Sequence, residues 1–417
     1  RMWMASLNTR TGVYPEDDRR PEAIGKRVYR SIDAPKGCTL YWDQPTLVAA
    51  HTLATLTDTP EYAEAADAYV RDFFFRCVAS NGIFLWGNHY YYDAFRDEVL
   101  TFLGTETPQP CDIDEEEGRR HEIRPIPPAW ALFWRVDPHA TEREIRTMAR
   151  DHLVDPDTGE FNRHADGETG CAFLEAGGIL VEALAWLHTK TQDPELVEIA
   201  DRIASFSYRH RGSETDLLEN NPTWRRWDKV TSTTEVGLWA LSLLRAVEHL
   251  DPEDARSARW RAMAETAARA WLQYGWDAES QAFYGRLRVN DGEPNLGPKE
   301  TPYQPKAYSD LWAPLFPTPD YPMTMAEASL SLWERTGNPA FRTACERWIR
   351  VVADHTPARG GRGGYAEDYG RCIHMCARAA DVLGSDRARA LAHRLADEAI
   401  DVLFDPRTLT PGGREGM

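Results

Sequence analysis

The sequence predicts an all-α protein in which six helical hairpins close into a ring. Three features predict this fold: a helix-start phrase that recurs along the chain, an apolar helix before each phrase with an amphipathic helix after it, and long connections between the hairpins. A unit repeated along a chain is the mark of a repeat architecture. The 417 residues exceed the usual domain size of about 100–200 residues. Because a closed ring is one unit, we nevertheless expect a single domain over residues 1–417.

Each helix-start phrase places Asp, Asn or Thr ahead of a proline, and an acid often follows. The first turn of a helix has free N–H groups and the positive end of the helix dipole, which suit a side-chain oxygen, a proline and an acid in that order. We therefore expect the second helix of each hairpin to begin there. The phrases are Thr57-Asp58-Thr59-Pro60-Glu61, Thr191-Gln192-Asp193-Pro194-Glu195, Leu250-Asp251-Pro252-Glu253 and Thr336-Gly337-Asn338-Pro339-Ala340, with Gly384-Ser385-Asp386 in a similar role.

The second helices carry one apolar stripe, as Leu196, Ile199 and Ile203 illustrate, and should bury one face. The first helices are apolar over more of their circumference and should be buried on several sides. The predicted pairs are Gln44–Leu56 with Glu61–Val78, Pro128–Val136 with Thr141–Val154, Ala172–Thr189 with Glu195–Arg209, Thr233–Leu250 with Glu253–Tyr274, Met323–Thr336 with Ala340–His355, and Asp368–Leu383 with Ala388–Leu403.

Long connections lead from the second helix of one hairpin into the first helix of the next. We expect them to gather on one rim of the ring, and loops of this length in a compact domain are usually functional. Two stretches within them, Gly82–Trp86 and Phe283–Gly285, are predicted to form short β-ribbons. The connections span residues 79–127, 155–170, 210–232, 277–322 and 356–367.

The charge and composition exclude several classes of function. The formal net charge of −18 argues against nucleic acid, which needs clustered Lys and Arg. An anionic substrate would therefore have to meet a local basic pocket. No apolar run is long enough to span a membrane. The 15 Trp, 16 Tyr and 14 Phe residues should fill the core for the most part, with a minority suited to stacking on sugars.

Seven cysteines cannot all pair within one chain, and none forms a CxxC motif. Cys372 and Cys376 share one face of a predicted helix and are expected to be small buried residues. The chain begins Arg1-Met2-Trp3 and shows no secretory signal, so the compartment is left open.

The helix-start phrases and the six predicted pairs resemble the six-hairpin, or (α/α)6-toroid, superfamily of carbohydrate enzymes over nearly the whole chain. This superfamily includes glycoside hydrolases, polysaccharide lyases and sugar 2-epimerases. The resemblance implies a poly- or oligosaccharide substrate in a cleft on the rim that carries the loops. It does not choose a reaction, because one fold supports many.

The segment from Trp86 to Asp93, Trp-Gly-Asn-His-Tyr-Tyr-Tyr-Asp, resembles the Asn-His element with nearby Tyr of toroid alginate lyases. These enzymes cleave uronate polymers by β-elimination. By the resemblance, Asn88 would bind the uronate carboxylate and His89 would remove the C5 proton, while one of Tyr90–Tyr92 would protonate the leaving oxygen. The sequence departs from the family in one respect, since the family's Tyr lies farther along the chain.

Other loop clusters add Arg, His and Tyr residues that suit the recognition of anions, because the arginine fork matches a carboxylate. Any one of them could instead hydrogen-bond a helix end or a loop. We predict catalytic roles for His89, Tyr90, Tyr91, His121, His164 and Glu122. We predict substrate binding by Asn88, Trp86, Arg120, Arg163, Tyr308, Asp310, Tyr365, Arg371 and Trp42.

No cofactor is predicted. His89, His121, Glu122 and His164 could form a metal site, but their spacing in the sequence is not that of a compact site. The chain also lacks a phosphate-binding loop and a Gly-x-Ser-x-Gly elbow.

The favoured interpretation is a lyase acting on a uronate-containing glycan. The alternative is a glycoside hydrolase, whose two carboxyl groups stand about 5–5.5 Å apart in retaining and about 6.5–9.5 Å apart in inverting enzymes. A glycan-binding protein without activity and a sugar epimerase with two His bases are further alternatives. The candidate carboxylates are Asp43 (which also suits a helix cap), Asp93, Glu98, Glu122, Glu175, Asp310, Glu367 and Asp368.

Overall fold

The computed structural model describes residues 37–87, 89–101, 108–114, 121–222, 230–298, 306–312, 323–357, 366–405 and 410–411. These residues contain twelve helices and twelve short strands. The helices are α1 Leu40–Thr57, α2 Glu61–Arg76, α3 Trp130–Val136, α4 Pro138–His152, α5 Leu174–Thr191, α6 Pro194–Arg209, α7 Thr233–Val247, α8 Ala255–Tyr274, α9 Met323–Thr336, α10 Pro339–Asp354, α11 Ala366–Leu383 and α12 Asp386–Leu403.

The predicted all-α class and the order of six helix pairs are confirmed. Each predicted helix is present, and the bounds of α9 agree at both ends. Within the pairs, α1 packs on α2, α3 on α4, α7 on α8, α9 on α10, and α11 on α12. The periodicity of the apolar residues therefore identified the helices correctly.

The described residues form two compact units. The first comprises residues 37–171 and 183–202, and the second comprises residues 172–182 and those from 203 onwards. In the first unit α2 also packs on α3, and in the second α7 and α11 both pack on α9. The expectation of one domain over the whole chain stays a prediction.

The helix-start phrases cap helices as predicted in most places. Asn338 accepts a hydrogen bond from the N–H of Ala340 at 3.1 Å, and Asp193 accepts one from the N–H of Glu195 at 3.1 Å. Two phrases are exceptions: α2 has Pro60 at its N-cap and no side-chain cap hydrogen bond, and the helix that follows Pro252 starts later than predicted. Helix α8 begins at Ala255 and its cap is Asp254, so the prediction of a helix start at Glu253 was wrong by two residues. Asp251 instead accepts from the N–H of Glu253 at 2.9 Å, in the turn before the helix.

The first helices are buried on several sides in the second unit, as predicted. Nearly every residue of α7 is buried, and so is most of α9. Helix α1 in the first unit departs from the expectation, since Val48, Leu53 and Leu56 are exposed. None of the helices in the described ranges is long and apolar enough to cross a membrane. The thiols of Cys372 and Cys376 are free and buried, as expected.

One predicted β-ribbon was misplaced. Residues 82–86 make only an isolated bridge, Val78 with Phe84, whereas the regular strands lie further along. Strand β2, Tyr90–Asp93, is the second strand of a four-stranded antiparallel sheet with β1 Gly37–Cys38, β3 Glu98–Thr101 and β4 Gln109–Pro110. Aromatic residues favour strands because they pack on a pleated surface, and the run of three tyrosines obeys this preference. The predicted ribbon near Phe283 is present as β9 Ala282–Phe283, paired with β8 Trp276–Asp277.

The close packing of α7 on α9 gives a test of the fold. A methyl group at Gly237 would lie 2.4 Å from the backbone nitrogen of Met325, and backbone atoms cannot move aside. We expect Gly237→Ala to destabilise the protein by about 1–3 kcal/mol, the usual cost of overpacking. Urea unfolding followed by circular dichroism measures the change.

The matched control for this test is Gly370→Ala in α11, where a methyl group would meet nothing within 4 Å. Alanine there should stabilise the helix by about 0.5–1 kcal/mol, because glycine costs more entropy to order. Equal effects of the two substitutions would contradict the α7–α9 contact.

Candidate active site

Two of the long connections meet in the first unit at a short antiparallel bridge between Glu122 and His164. The N–H of Ile123 donates to the carbonyl of Arg163 at 3.0 Å, and the N–H of Ala165 donates to the carbonyl of His121 at 3.2 Å. The bridge places side chains from residues 79–127 and 155–170 next to each other. For these two connections, the bridge supports the prediction that the long connections converge.

The carboxylate of Glu122 is the centre of the cluster and is buried. Its Oε1 accepts a short hydrogen bond from Arg163 and one of 3.3 Å from Nη1 of Arg124. The Nε2 atom of His164 lies 3.4 Å from the same oxygen, and Nε2 of His89 lies 3.7 Å from Oε2. Two guanidinium groups and two imidazoles therefore surround one carboxylate.

These contacts set the protonation of the cluster. Burial by itself would raise the pKa of Glu122, but the charge of Arg163 and the hydrogen bond and charge of His164 outweigh it and hold that pKa well below its usual value. Burial would likewise lower the pKa of His164, yet hydrogen bonds to Cys171 and Glu122 raise it to about 9. Near neutral pH, Glu122 is thus ionised and His164 carries a proton.

His89, Glu122 and His164 form a group that could hold a metal ion. One ligand atom from each residue lies within 4.8 Å of the others, and the two imidazole rings are 6.1 Å apart between centroids. The side chains of His89 and His164 are 25% and 29% exposed, so the imidazole side of the group is open to a ligand. Two imidazoles and one carboxylate are a ligand set that divalent transition metals accept. The sequence offered these residues as metal-ligand types, but their spacing did not predict a site.

His121, the fourth predicted member of this set, points away from the cluster. It is fully buried, and its Nδ1 lies 2.7 Å from Nε2 of His152. Its Nε2 accepts a short hydrogen bond from the indole N–H of Trp86 and lies 3.1 Å from Oε1 of Glu144. Burial lowers the pKa of His121 to about 3, so this imidazole is neutral. A catalytic role for His121 stays a prediction, but it does not face the Glu122 carboxylate.

The other predicted residues of the first unit are placed as follows. Tyr90 and Tyr91 are buried in strand β2, where burial and the charge of Asp93 raise the pKa of Tyr91 to about 12. Their proposed role as proton donors stays a prediction. Trp86 is buried behind the cluster, so it lies among core rings and not on a surface that a sugar could reach. Trp42 is half-buried and donates to the carbonyl of Gly87 at 3.1 Å.

Three predicted residues belong to the second unit. Tyr308 donates to Asp277 at 2.9 Å, Asp310 forms an ion pair of 2.6 Å with Lys306, and Arg371 forms a buried ion pair with Asp368. Their role in binding substrate stays a prediction. Asn88, Arg120 and Tyr365 lie outside the described residues.

Three residues in the cluster or behind it were not predicted, namely Arg124, Glu144 and His152. Arg124 follows Glu122 by two residues, but nothing in the sequence distinguished it from its arginine neighbours. Glu144 and His152 lie eight residues apart on α4, on the same face as the apolar Met148. Polar residues on an apolar stripe were a signal that could have identified both as buried and partnered.

The hydrolase candidates among the described residues are mostly engaged in local structure. Asp43 lies in the first turn of α1, where it accepts hydrogen bonds from Tyr69 at 2.5 Å and from the N–H of Thr39 at 3.0 Å. It thus supports the helix start as expected, although α1 begins at Leu40 and not at Gln44. Burial raises the pKa of Asp43 to about 7 despite these bonds. Asp93 accepts from the N–H groups of Phe95 and Arg96 in a turn.

The candidate metal group predicts that the protein binds about one divalent transition-metal ion, such as Mn²⁺, per chain. His89→Ala or His164→Ala removes one of three ligands, and we expect affinity to fall at least about tenfold in each. Isothermal titration calorimetry measures the loss. His139→Ala, an exposed histidine in the first turn of α4, is the control and should bind like the wild type.

The protonation of His164 predicts how metal affinity depends on pH. Coordination through Nε2 displaces a proton from a group with a pKa of about 9. Affinity should therefore rise about tenfold per pH unit between pH 6 and 8, since binding releases a proton in this range. Glu122 stays ionised there and releases none. A flat profile over this range would show that His164 does not lose a proton on binding.

A comparison with known families finds a match for part of the chain. Residues 43–200 match the model of a family described as periplasmic pectate lyase, which is less than half of the chain. The matched segment includes His89, Glu122, Arg163 and His164. The part of the chain that resembles this family is therefore the part that builds the cluster.

Solved structures with the same fold include two sugar epimerases. Cellobiose 2-epimerase from Bacillus thermoamylovorans B4167 is 11% identical, with a TM-score of 0.52 over 82% of this chain and 83% of that chain. A sugar epimerase from a ruminal bacterium is 13% identical, with a TM-score of 0.50 over 82% of this chain and 84% of that chain. At this identity the likeness concerns the fold alone. The predicted resemblance is confirmed: the chain has the (α/α)6-toroid fold of carbohydrate-active enzymes, and its residues 43–200 are similar to the periplasmic pectate lyases.

Proposed function

We propose that this protein is a carbohydrate-active enzyme that cleaves a uronate-containing poly- or oligosaccharide by β-elimination. The observation that carries the proposal is the Glu122 cluster, in which Arg124, Arg163 and a protonated His164 surround one carboxylate. Positive charge exceeds negative charge in this cluster, although the chain as a whole has a net charge of −18. A local basic site of this kind is what an acidic protein needs to receive an anionic sugar.

Elimination requires that the uronate carboxylate be neutralised. Once its charge is reduced, the proton on the neighbouring C5 carbon becomes acidic enough for a base to remove, and the glycosidic oxygen leaves with a proton. The partly exposed imidazoles of His89 and His164 are the parts of the cluster that a substrate carboxylate can reach. The buried Arg163 and Arg124 hold Glu122 in place and add positive charge behind them.

A divalent cation held by His89, Glu122 and His164 would supply the neutralising charge as a Lewis acid. The residues fit such an ion, because two imidazole nitrogens and a carboxylate oxygen converge within 4.8 Å. In that arrangement His89 and His164 are ligands, and another group takes the C5 proton. In the arrangement without a cation, His89 is the base, as the resemblance to the alginate lyases implied.

The family match supports the same substrate class, since pectate is a uronate polymer and the matching residues 43–200 contain all three candidate ligands. The four residue types in the cluster and beside it (Arg, His, Glu and Tyr) are those that the elimination needs for charge, base and acid. The names of the two epimerases with the same fold say that those proteins act on sugars, and this supports a sugar as the class of substrate.

An absorbance assay tests the proposal directly. Elimination leaves a conjugated, unsaturated uronate that absorbs ultraviolet light, whereas hydrolysis does not. We expect absorbance to grow when the protein is given polygalacturonate or alginate, and His89→Ala to lower the rate at least about a hundredfold, the scale of lost acid–base or metal catalysis. His139→Ala is the control and should retain the rate.

A chelator separates the two arrangements of the site. Loss of activity in EDTA and its return with Mn²⁺ would support the cation, and full activity in EDTA would support His89 as the base. New reducing ends without the chromophore would contradict elimination and support the hydrolase, for which Asp43, with its pKa of about 7, suits a general acid.

Epimerisation is the second candidate, and one observation favours it. The rings of His89 and His164 are 6.1 Å apart, a spacing at which two imidazoles could act on opposite faces of one sugar carbon. An epimerase conserves the mass of its substrate and yields an isomer, so mass spectrometry with chromatography of the product distinguishes it from both cleavage reactions.

A further inference from the structure

A continuous chain of hydrogen bonds lies buried behind the Glu122 cluster. The indole N–H of Trp86 donates to Nε2 of His121, Nδ1 of His121 lies 2.7 Å from Nε2 of His152, and Nδ1 of His152 lies 2.8 Å from the carbonyl oxygen of Asn162. All four residues are buried. We refer to these four residues as the Trp86–Asn162 chain.

The two ends of the Trp86–Asn162 chain fix its direction. An indole N–H can only donate and a carbonyl oxygen can only accept. His121 must therefore accept at Nε2 and donate from Nδ1, and His152 must do the same. Both imidazoles are held in one neutral tautomer, and no bond of the chain can reverse without breaking the others.

Each candidate metal ligand stands close in sequence to a member of this chain. Trp86 precedes His89 by three residues, His121 directly precedes Glu122, and Asn162 precedes His164 by two. The Asn162 side chain extends the connection, because its Oδ1 accepts from the N–H of His164 at 2.7 Å.

Helix α4 anchors the segments that carry the ligands. His152, its last residue, contacts Asn162 twice: its side chain binds the Asn162 carbonyl, and its own carbonyl accepts from the Asn162 N–H at 2.8 Å. Glu144, two turns earlier, accepts from the N–H of Phe84 at 2.6 Å, and its Oε1 lies 3.1 Å from Nε2 of His121. Burial raises the pKa of Glu144 well above its usual value, so this carboxyl is neutral and can face the accepting nitrogen. All three ligand segments are thus joined to one regular helix.

We propose that the Trp86–Asn162 chain is a positioning network for the metal centre, and that His152 is the residue through which α4 sets the geometry of the ligands. The inference rests on the cation-bound form of the proposed function. Ligands that are already held in place lose less entropy when the ion arrives, and partners behind the ligands are often worth tenfold to a hundredfold in metal affinity. Neither Trp86 nor His152 touches the ion or the substrate in this role.

Two pairs of variants test this role. His152→Phe removes both the acceptor and the donor, whereas His152→Gln keeps one of each in its amide. Trp86→Phe removes only the N–H. Its matched control is Trp239→Phe in α7, a buried indole whose N–H has no hydrogen-bond partner among the described residues.

Calorimetry with Mn²⁺ measures affinity, and circular dichroism at rising temperature measures folding. We expect His152→Phe and Trp86→Phe to bind Mn²⁺ about 10–100-fold more weakly than the wild type at a temperature where all variants are folded. His152→Gln should restore most of the affinity, and Trp239→Phe should not change it. Loss of thermal stability in His152→Phe with unchanged Mn²⁺ affinity would mean that the chain is structural only.

Nitrogen–proton correlation NMR of the imidazole rings tests the direction of the chain independently of any metal. His121 and His152 should both carry their proton on Nδ1, and the opposite tautomer at either ring would overturn the inference. Wild-type protein that binds no Mn²⁺ overturns the metal centre and this role together. Tight binding by the wild type and by His152→Phe alike overturns the positioning role and leaves the proposed function intact.

Discussion

The first unit depends on one buried carboxylate, that of Glu122. A charge removed from water is costly unless partners replace the lost solvation, and a partner left without it becomes a buried charge itself. Arg124, Arg163 and His164 meet this cost together. The need to pair Glu122 with Arg163 and His164 fixes the course of two long connections, because their backbones must run side by side for these side chains to meet.

The same constraint produces two layers with opposite electrostatics. The front layer is the Glu122 cluster, and the rear layer is the Trp86–Asn162 chain. In front, hydrogen bonds to Cys171 and Glu122 and the charge of Glu122 keep His164 protonated, so that the partly exposed imidazoles could offer positive charge or ligand nitrogens to a substrate or an ion. Behind, burial lowers the pKa of both His121 and His152 and keeps these imidazoles neutral. Histidine suits both layers because its environment decides its charge. The front layer can recognise an anion, and the rear layer can hold the front layer in place.

The helical frame supports this arrangement without choosing the reaction. The two sugar epimerases share the fold, although only 11% and 13% of their residues are identical to those of this chain. A fold by itself does not choose a reaction, because one fold can support different chemistries. In this chain the candidate site lies in the connections, where Arg and His residues surround a carboxylate on loops that α4 holds from behind. A regular helix is a more rigid support than a loop, and the ligand segments are tied to α4 through Glu144 and His152.

The sequence by itself determined the helices, because the apolar period and the capping residues act within a few positions along the chain. It predicted α9 at both ends and erred near Pro252, where Asp254 caps the helix. Only the tertiary structure decided the metal group, since His89, Glu122 and His164 are far apart in sequence and no spacing rule links them. It also separated His121 from Glu122. Adjacent side chains in extended backbone point to opposite faces. His121 therefore belongs to the rear layer, and Glu122 is the centre of the front layer.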